Sequence, residues 1–169
     1  HPGLDKVAFT GSTAVGRRIR EVTAGQGKVL TLEIGGKSPY IVFDDAALDS
    51  AIEGLVDAIW FNQGQVCCAG SRLLVQGCVA ESFYAKLRAR METLRMGDPL
   101  DKSIDIGAMV DAKQVDRVRT LLVAHPGGER FEASGPIPSE GAYLPPNLNT
   151  GLSPSIPLMQ QEIFGPVIV

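Results

Sequence analysis

Between Lys6 and Glu33 the sequence runs through an apolar strand, a glycine-bounded turn, an amphipathic segment and a second apolar strand. That order limits the fold more than any other feature. Lys6-Val7-Ala8-Phe9-Thr10 reads as a short buried strand and Gly11-Ser12-Thr13-Ala14-Val15-Gly16 as a turn. Arg17 to Thr23 reads as a helix with Ile19 and Val22 on one side. Gly25 and Gly27 stand where a left-handed residue closes a helix, and Val29-Leu30-Thr31-Leu32-Glu33 returns as a strand. Two strands joined through a helix pair in parallel when the crossover is right-handed.

The alternation continues past Gly35-Gly36, the first candidate boundary, which divides the chain into residues 1–36 and 37–169. Tyr40-Ile41-Val42-Phe43 is strand-like, and Asp44 or Asp45 can cap the helix that carries Leu48, Ile52, Leu55, Val56 and Ile59 at helical spacing. Ser71 to Gln76 reads as a strand. Phe83, Leu87, Met91 and Leu94 mark one face of a further helix that Gly97-Asp98-Pro99 breaks. Its Lys86, Arg88 and Arg90 are expected to face solvent. Asp111 can cap a helix with Val115, Val118, Leu121 and Leu122 inward, stopping at His125-Pro126-Gly127-Gly128. From there through Pro145-Pro146 and Pro154 to Pro157 the chain reads as loop and edge structure. The expected class is α/β throughout.

With 44% hydrophobic and 21% charged residues, a packed core is feasible and disorder is not expected. A net charge of −3 gives no electrostatic reason for nucleic acid or an anionic membrane as partner. No apolar run approaches the roughly 20 residues of a bilayer span. The three cysteines, two of them adjacent, suit free thiols in a reducing compartment better than a secreted disulfide framework, and cytoplasm is the default location. The chain opens at His1 without an initiator methionine and stops within the apolar run Pro166-Val167-Ile168-Val169, so it is expected to be a segment of something larger.

Four segments can carry chemistry. In Phe61-Asn62-Gln63-Gly64-Gln65-Val66-Cys67-Cys68-Ala69-Gly70 the cysteines fall on a loop between helix and strand, where backbone N–H groups can favour a thiolate. The pair also fits two small buried hydrophobes. No CxxC or neighbouring histidine completes a metal site, so no metal is expected. Glu33 ends an apolar strand, and at the C-terminal end of a parallel strand burial would raise its pKa and suit it to general-base work. It also fits an exposed strand-end glutamate. The Gly11–Gly16 turn can present N–H groups to a phosphate, yet it lacks the P-loop lysine and the tighter GxGxxG spacing. Glu162, in Gln161-Glu162-Ile163-Phe164-Gly165-Pro166, is by itself an acidic residue beside an aromatic and a turn.

Taken in order, these segments resemble the aldehyde dehydrogenase superfamily. Phe9-Thr10-Gly11-Ser12 with Gly16 is similar to its cofactor-binding turn, and Leu32-Glu33-Ile34-Gly35-Gly36-Lys37-Ser38-Pro39 to its glutamate signature. Phe61 to Gln65 leading into Cys67 is similar to its cysteine signature, and Glu162-Ile163-Phe164-Gly165-Pro166 to the motif that meets the nicotinamide ribose. The resemblance covers the whole chain. Leu48 to Gly54 with Trp60 resembles the family-16 branch. Ala14 stands where many members carry an acidic residue, and Val66 occupies a variable position on the substrate side.

The resemblance implies the fold: the end of a Rossmann-like NAD(P)-binding domain over 1–36, then part of an α/β catalytic domain over 37–169. It implies an enzyme that oxidises an aldehyde with NAD or NADP, with Cys67 as nucleophile, Glu33 as base and Cys68 as bystander. Gly11, Ser12, Gly16, Ile34, Gly35, Glu162 and Phe164 would contact the cofactor, and Gln114 its adenosine end. The rest of the cofactor domain would precede His1 and the rest of the catalytic domain would follow Val169. The segment alone would then be inactive, and the parent a homo-oligomer. The competing reading from another class is a non-catalytic scaffold that keeps this fold, whose expected mark is loss of Cys67 or Glu33.

Overall fold

A computed structural model describes residues 1–125 and 127–169, which form two compact units, His1–Gly36 and Lys37–Val169. In the first, β1 (Lys6–Gly11) and β2 (Val29–Ile34) pair in parallel, from Lys6 opposite Val29 to Gly11 opposite Ile34. Helix α1 (Thr13–Thr23) connects them. It begins four residues before the expected Arg17, because Ser12 sits in extended conformation and its hydroxyl accepts from the Val15 N–H at 3.4 Å. Most of the expected glycine turn is therefore the first turn of a helix. Gly16 is tolerated inside it for a packing reason: a Cβ there would lie 2.7 Å from Cγ2 of Ile34. Gly25 and Gly27, at φ 73° and 68°, turn the chain back into β2 as expected.

In the second unit β3 (Pro39–Val42) pairs in parallel with β4 (Arg72–Val75). Between them run α2 (Leu48–Trp60) and a short 3₁₀ turn, Phe61–Gly64. Neither Asp44 nor Asp45 caps α2: the cap position is Ala47, with no side-chain bond. The Asp44 N–H instead takes the Gln76 Oε1 at 3.0 Å, which ties the end of β3 to the end of β4. Helix α3 (Gly77–Met91) packs on α2 and buries Phe83, Leu87 and Met91. It stops before Gly97-Asp98-Pro99, because Asp105 captures the Arg95 N–H at 2.9 Å and draws the chain into a loop. Leu94 is buried beyond the helix end. Of the basic residues of α3, Lys86 is exposed while Arg88 and Arg90 are half-buried, and they pair with Asp49, Glu129 and Glu53.

Helix α4 (Ala112–Ala124) starts at the expected cap, the Asp111 carboxylate accepting from the Gln114 N–H at 2.8 Å. It ends at His125, and Pro126 of the expected stop lies outside the described residues. The proline-rich stretch is more regular than its composition suggests. It contains β6 (Asn147–Thr150), the middle strand of a sheet with antiparallel β5 (Glu129–Glu132) and parallel β7 (Val167–Ile168). It also contains the single-turn helix α5 (Pro157–Gln160). Asparagines are poor strand formers, but buried Asn147 and Asn149 satisfy each other and their neighbours: Asn149 Nδ2 donates to Asn147 Oδ1 at 2.8 Å, and Asn147 Nδ2 to Glu132 at 3.1 Å. Backbone bonds from Leu73 to Val169 and from Val169 to Ser71 carry the hydrogen bonding from β4 into the segment of β7.

Candidate active site

The cysteine loop is held at both ends. At its entry, Trp60 is buried and its indole N–H donates to the Pro166 carbonyl at 3.3 Å. Asn62, Gln63 and Gly64 then take three successive left-handed conformations, φ 48°, 56° and 71°, which reverse the chain. Two non-glycine residues in that region need support. Asn62 and Gln65 supply part of it by exchanging bonds, Gln65 N to Asn62 O at 3.0 Å and Asn62 Nδ2 to Gln65 O at 3.1 Å. Oriented by its partners, the Gln63 amide accepts from the Gly107 N–H at 3.0 Å and donates to the Ala108 carbonyl at 3.2 Å. Gln65 Oε1 accepts from the Val110 N–H at 3.2 Å. The side-chain amides of Asn62, Gln63 and Gln65 thus anchor the loop.

Cys67 and Cys68 occupy the two central positions of a turn closed by the Ala69 N–H on the Val66 carbonyl at 3.1 Å. The exit is fixed by the Gly70 N–H on the Ala58 carbonyl at 3.0 Å. Both thiols are exposed, so the buried-hydrophobe reading of the pair does not hold. Among the described residues the Cys67 N–H has no hydrogen-bond acceptor, which leaves a donor at the tip of the turn.

The segment from Glu162 to Pro166 lies against the cysteine loop, backbone on backbone. A Cβ on Gly64 would run into the Gly165 carbonyl, and one on Gly165 would lie 2.9 Å from Cγ2 of Val118. Ile163 is buried among Val115, Val118 and Val167, while Phe164 is left-handed at φ 58° and exposed. Helix α4 holds this segment by its carbonyls. Gln114 Nε2 donates to Ile163 O at 3.1 Å and Phe164 O at 2.8 Å. Arg117 donates to Ile163 O at 2.9 Å and Glu162 O at 3.0 Å. The amide nitrogen of Gln114 is therefore committed, which leaves only its oxygen for the adenosine-end contact expected of it. Arg117 escaped the sequence reading, although its place three residues after Gln114 on the same helix face was visible. Lys37 escaped too. Burial first, and then the Arg72 charge, push its pKa down to about 8, while the Glu162 carboxylate acts the other way. Its Nζ and the Arg72 Nε are buried with no hydrogen-bond partner among the described residues.

In the first unit the register sets Glu33 opposite Thr10 and Ile34 opposite Gly11, so Glu33 stands at the C-terminal end of β2 beside the start of α1. Its side chain is exposed in this chain. Ser12 caps α1, and Gly16 is buried against Ile34, so its place in this motif is one of helix–strand packing. Gly35 follows at φ 28°. Among the described residues, no group of three His, Cys, Asp or Glu side chains could hold a metal ion, and no helix is long and apolar enough to cross a membrane.

The family model of the aldehyde dehydrogenases matches residues 1–169. A vanillin dehydrogenase of Pseudomonas fluorescens is 42% identical over 100% of this chain and 35% of its own length. A betaine aldehyde dehydrogenase of Rhizobium meliloti (strain 1021) is 40% identical over 99% of this chain and 36% of its own. Among solved structures, an NAD-dependent aldehyde dehydrogenase of Sinorhizobium meliloti matches with a TM-score of 0.91 at 38% identity, covering 97% of this chain and 33% of that one. A betaine aldehyde dehydrogenase of Staphylococcus aureus in complex with NAD+ matches with a TM-score of 0.91 at 30% identity, covering 99% and 34%. The chain thus spans about a third of the length of the curated relatives it matches. With its whole length matched by the family model and its fold shared with solved members, the chain belongs to the aldehyde dehydrogenase family.

Proposed function

We propose that the protein carrying this segment oxidises an aldehyde to a carboxylic acid with NAD or NADP through a covalent adduct on Cys67, and that the segment alone is inactive. The single observation that carries the reading is an exposed thiol at the tip of a turn stapled at both ends, in a chain of this family. A nucleophile needs that combination of access and fixed placement.

The Cys67 thiolate adds to the aldehyde carbon, forming a C–S bond while the carbonyl electron pair moves to oxygen. The Cys67 N–H donates to that oxyanion, a job its lack of a protein acceptor leaves it able to do. The dinucleotide, when bound, supplies the acceptor for the hydride lost from the adduct carbon. What remains on Cys67 is a thioester. Glu33 takes a proton from water as its oxygen attacks the acyl carbon, and the C–S bond breaks to release acid and restore the thiolate. Glu162 and Phe164 orient the nicotinamide end.

The residues present fit a dinucleotide. The first turn of α1 is exposed, and the Thr13 and Ala14 N–H groups lie where a helix offers no acceptor of its own, beside the capping Ser12. Gly11 and Ser12 bring the backbone into that turn, with Gly16, Ile34 and Gly35 shaping its floor. NAD+ in the Staphylococcus aureus relative supports NAD as the first cofactor to test. We also propose a homo-oligomeric, cytoplasmic parent and a small-molecule aldehyde as its partner.

The test is NADH or NADPH formation from a panel of aldehydes by the full-length protein and its Cys67→Ala variant. Turnover should fall roughly a thousandfold or more in the variant with the fold retained. Unchanged turnover in Cys67→Ala, or a folded wild type that reduces neither cofactor with any aldehyde, would sink the proposal and favour the scaffold reading.

A further inference from the structure

Three consecutive carbonyls, those of Glu162, Ile163 and Phe164, all accept from two side chains one turn apart on α4. Two donors converge on the middle one: Ile163 O takes both Gln114 and Arg117. The arrangement calls for a reason. The segment lies between α5 and β7, outside any helix or strand that would satisfy its carbonyls. It also contains a phenylalanine held at φ 58°, a conformation bulky residues rarely adopt.

Packing alone would keep the segment in place. Ile163 is fully inside the apolar cluster of Val115, Val118, Leu158 and Val167, and Gly165 is wedged against Val118. On either side of that anchor stand Glu162, half-buried, and Phe164, exposed. The peptide planes that carry these two residues are the ones that Arg117 and Gln114 grip.

We infer that Arg117, acting with Gln114, is a positioning residue that locks the backbone of residues 162–164 and so aims Glu162 and Phe164 at the cofactor. The inference rests on the dehydrogenase reading for the identity of that ligand. It also separates two roles on α4. Val115 and Val118 hold the segment down, while Arg117 and Gln114 set its rotation. A methionine at 117 keeps the stem and removes both donors, and a lysine keeps the charge but loses the planar fork that spans two carbonyls.

The experiment uses the full-length protein with Arg117→Met and Arg117→Lys, and reads amide hydrogen exchange in residues 161–165 together with NAD+ affinity by calorimetry. In Arg117→Met, exchange in that segment should quicken and the Kd for NAD+ should rise about tenfold, the range expected when a charged donor is lost. The KM for NAD+ should rise, and Arg117→Lys should fall between Arg117→Met and wild type. Unchanged exchange, or faster exchange with unchanged affinity, overturns the inference. Should Arg117→Met fail to fold, Arg117→Lys carries the same two readings. A wild type that binds NAD+ but oxidises no aldehyde would defeat the dehydrogenase reading and leave the clamp standing. One that binds no dinucleotide would defeat the clamp's role.

Discussion

The two units contrast in how they are held. From His1 to Gly36 a parallel strand pair and a helix contain one buried residue, Gly16, and Val15, Val22 and Val29 are exposed. From Lys37 onward two apolar clusters close around α2, α3 and α4, with Leu55, Ile59, Phe83, Leu87 and Val118 fully inside. A parallel pair is stable when both faces are covered. In this chain the first unit leaves its faces uncovered, while the second encloses its own core. The proposed base and the proposed nucleophile fall on opposite sides of that division.

The sharpest way to break the contrast is at the joint of the two loops. Gly64→Ala combines a left-handed backbone, φ 71°, with a Cβ that would lie 2.6 Å from the Gly165 carbonyl carbon. It should destabilise the second unit by about 3 kcal/mol or more in denaturant titrations. A loss below about 1 kcal/mol would show that the joint yields. Next comes core truncation. Phe83→Ala should cost about 3–5 kcal/mol, while Val22→Ala in the first unit should stay within about 0.5 kcal/mol. Comparable losses at the two positions would erase the difference between the units. Hydrogen exchange offers a third reading, with β1 and β2 amides exchanging faster than those of α2 and α3.

A pH-dependent effect concerns Lys37. Its folded pKa, about 8, lies below that of an unfolded lysine, so the unfolded chain binds more protons between pH 8 and the ordinary lysine value. Stability should therefore rise with pH across that window, since the cost of burying the charge is fully present below it and absent above it. Lys37→Met should be more stable than wild type at pH 7 and should lose the rise. A wild type with flat stability from pH 8 to 10, matching the variant, would remove the basis for the effect.

Much of the frame was legible because it follows periodicity. The strand–helix–strand of the first unit, the stripe of α2 and the Asp111 cap of α4 all appear in the sequence as local patterns. The candidate site was legible as motifs, by the order of four segments. What stayed hidden depends on partners distant in sequence. Asn147 and Asn149 read as loop because their strand is stabilised by side-chain amides meeting across β5–β6–β7. Ser12 started α1 early because its hydroxyl outweighed the glycines around it. Arg117 gave no sign of its role, since its acceptors are carbonyls some 45 residues away, which no side-chain pattern records.

The contact between Gly64 and Gly165 has a consequence for how such a protein can diverge. A seam made of main-chain atoms has a width set by van der Waals radii, and no change of side chain elsewhere can widen or narrow it. Side chains on either side of the seam, such as Val66 and Phe164, can change without altering the spacing between the two loops. The separation of the two loops is thereby set by the backbone, and only what projects from it is open to substitution.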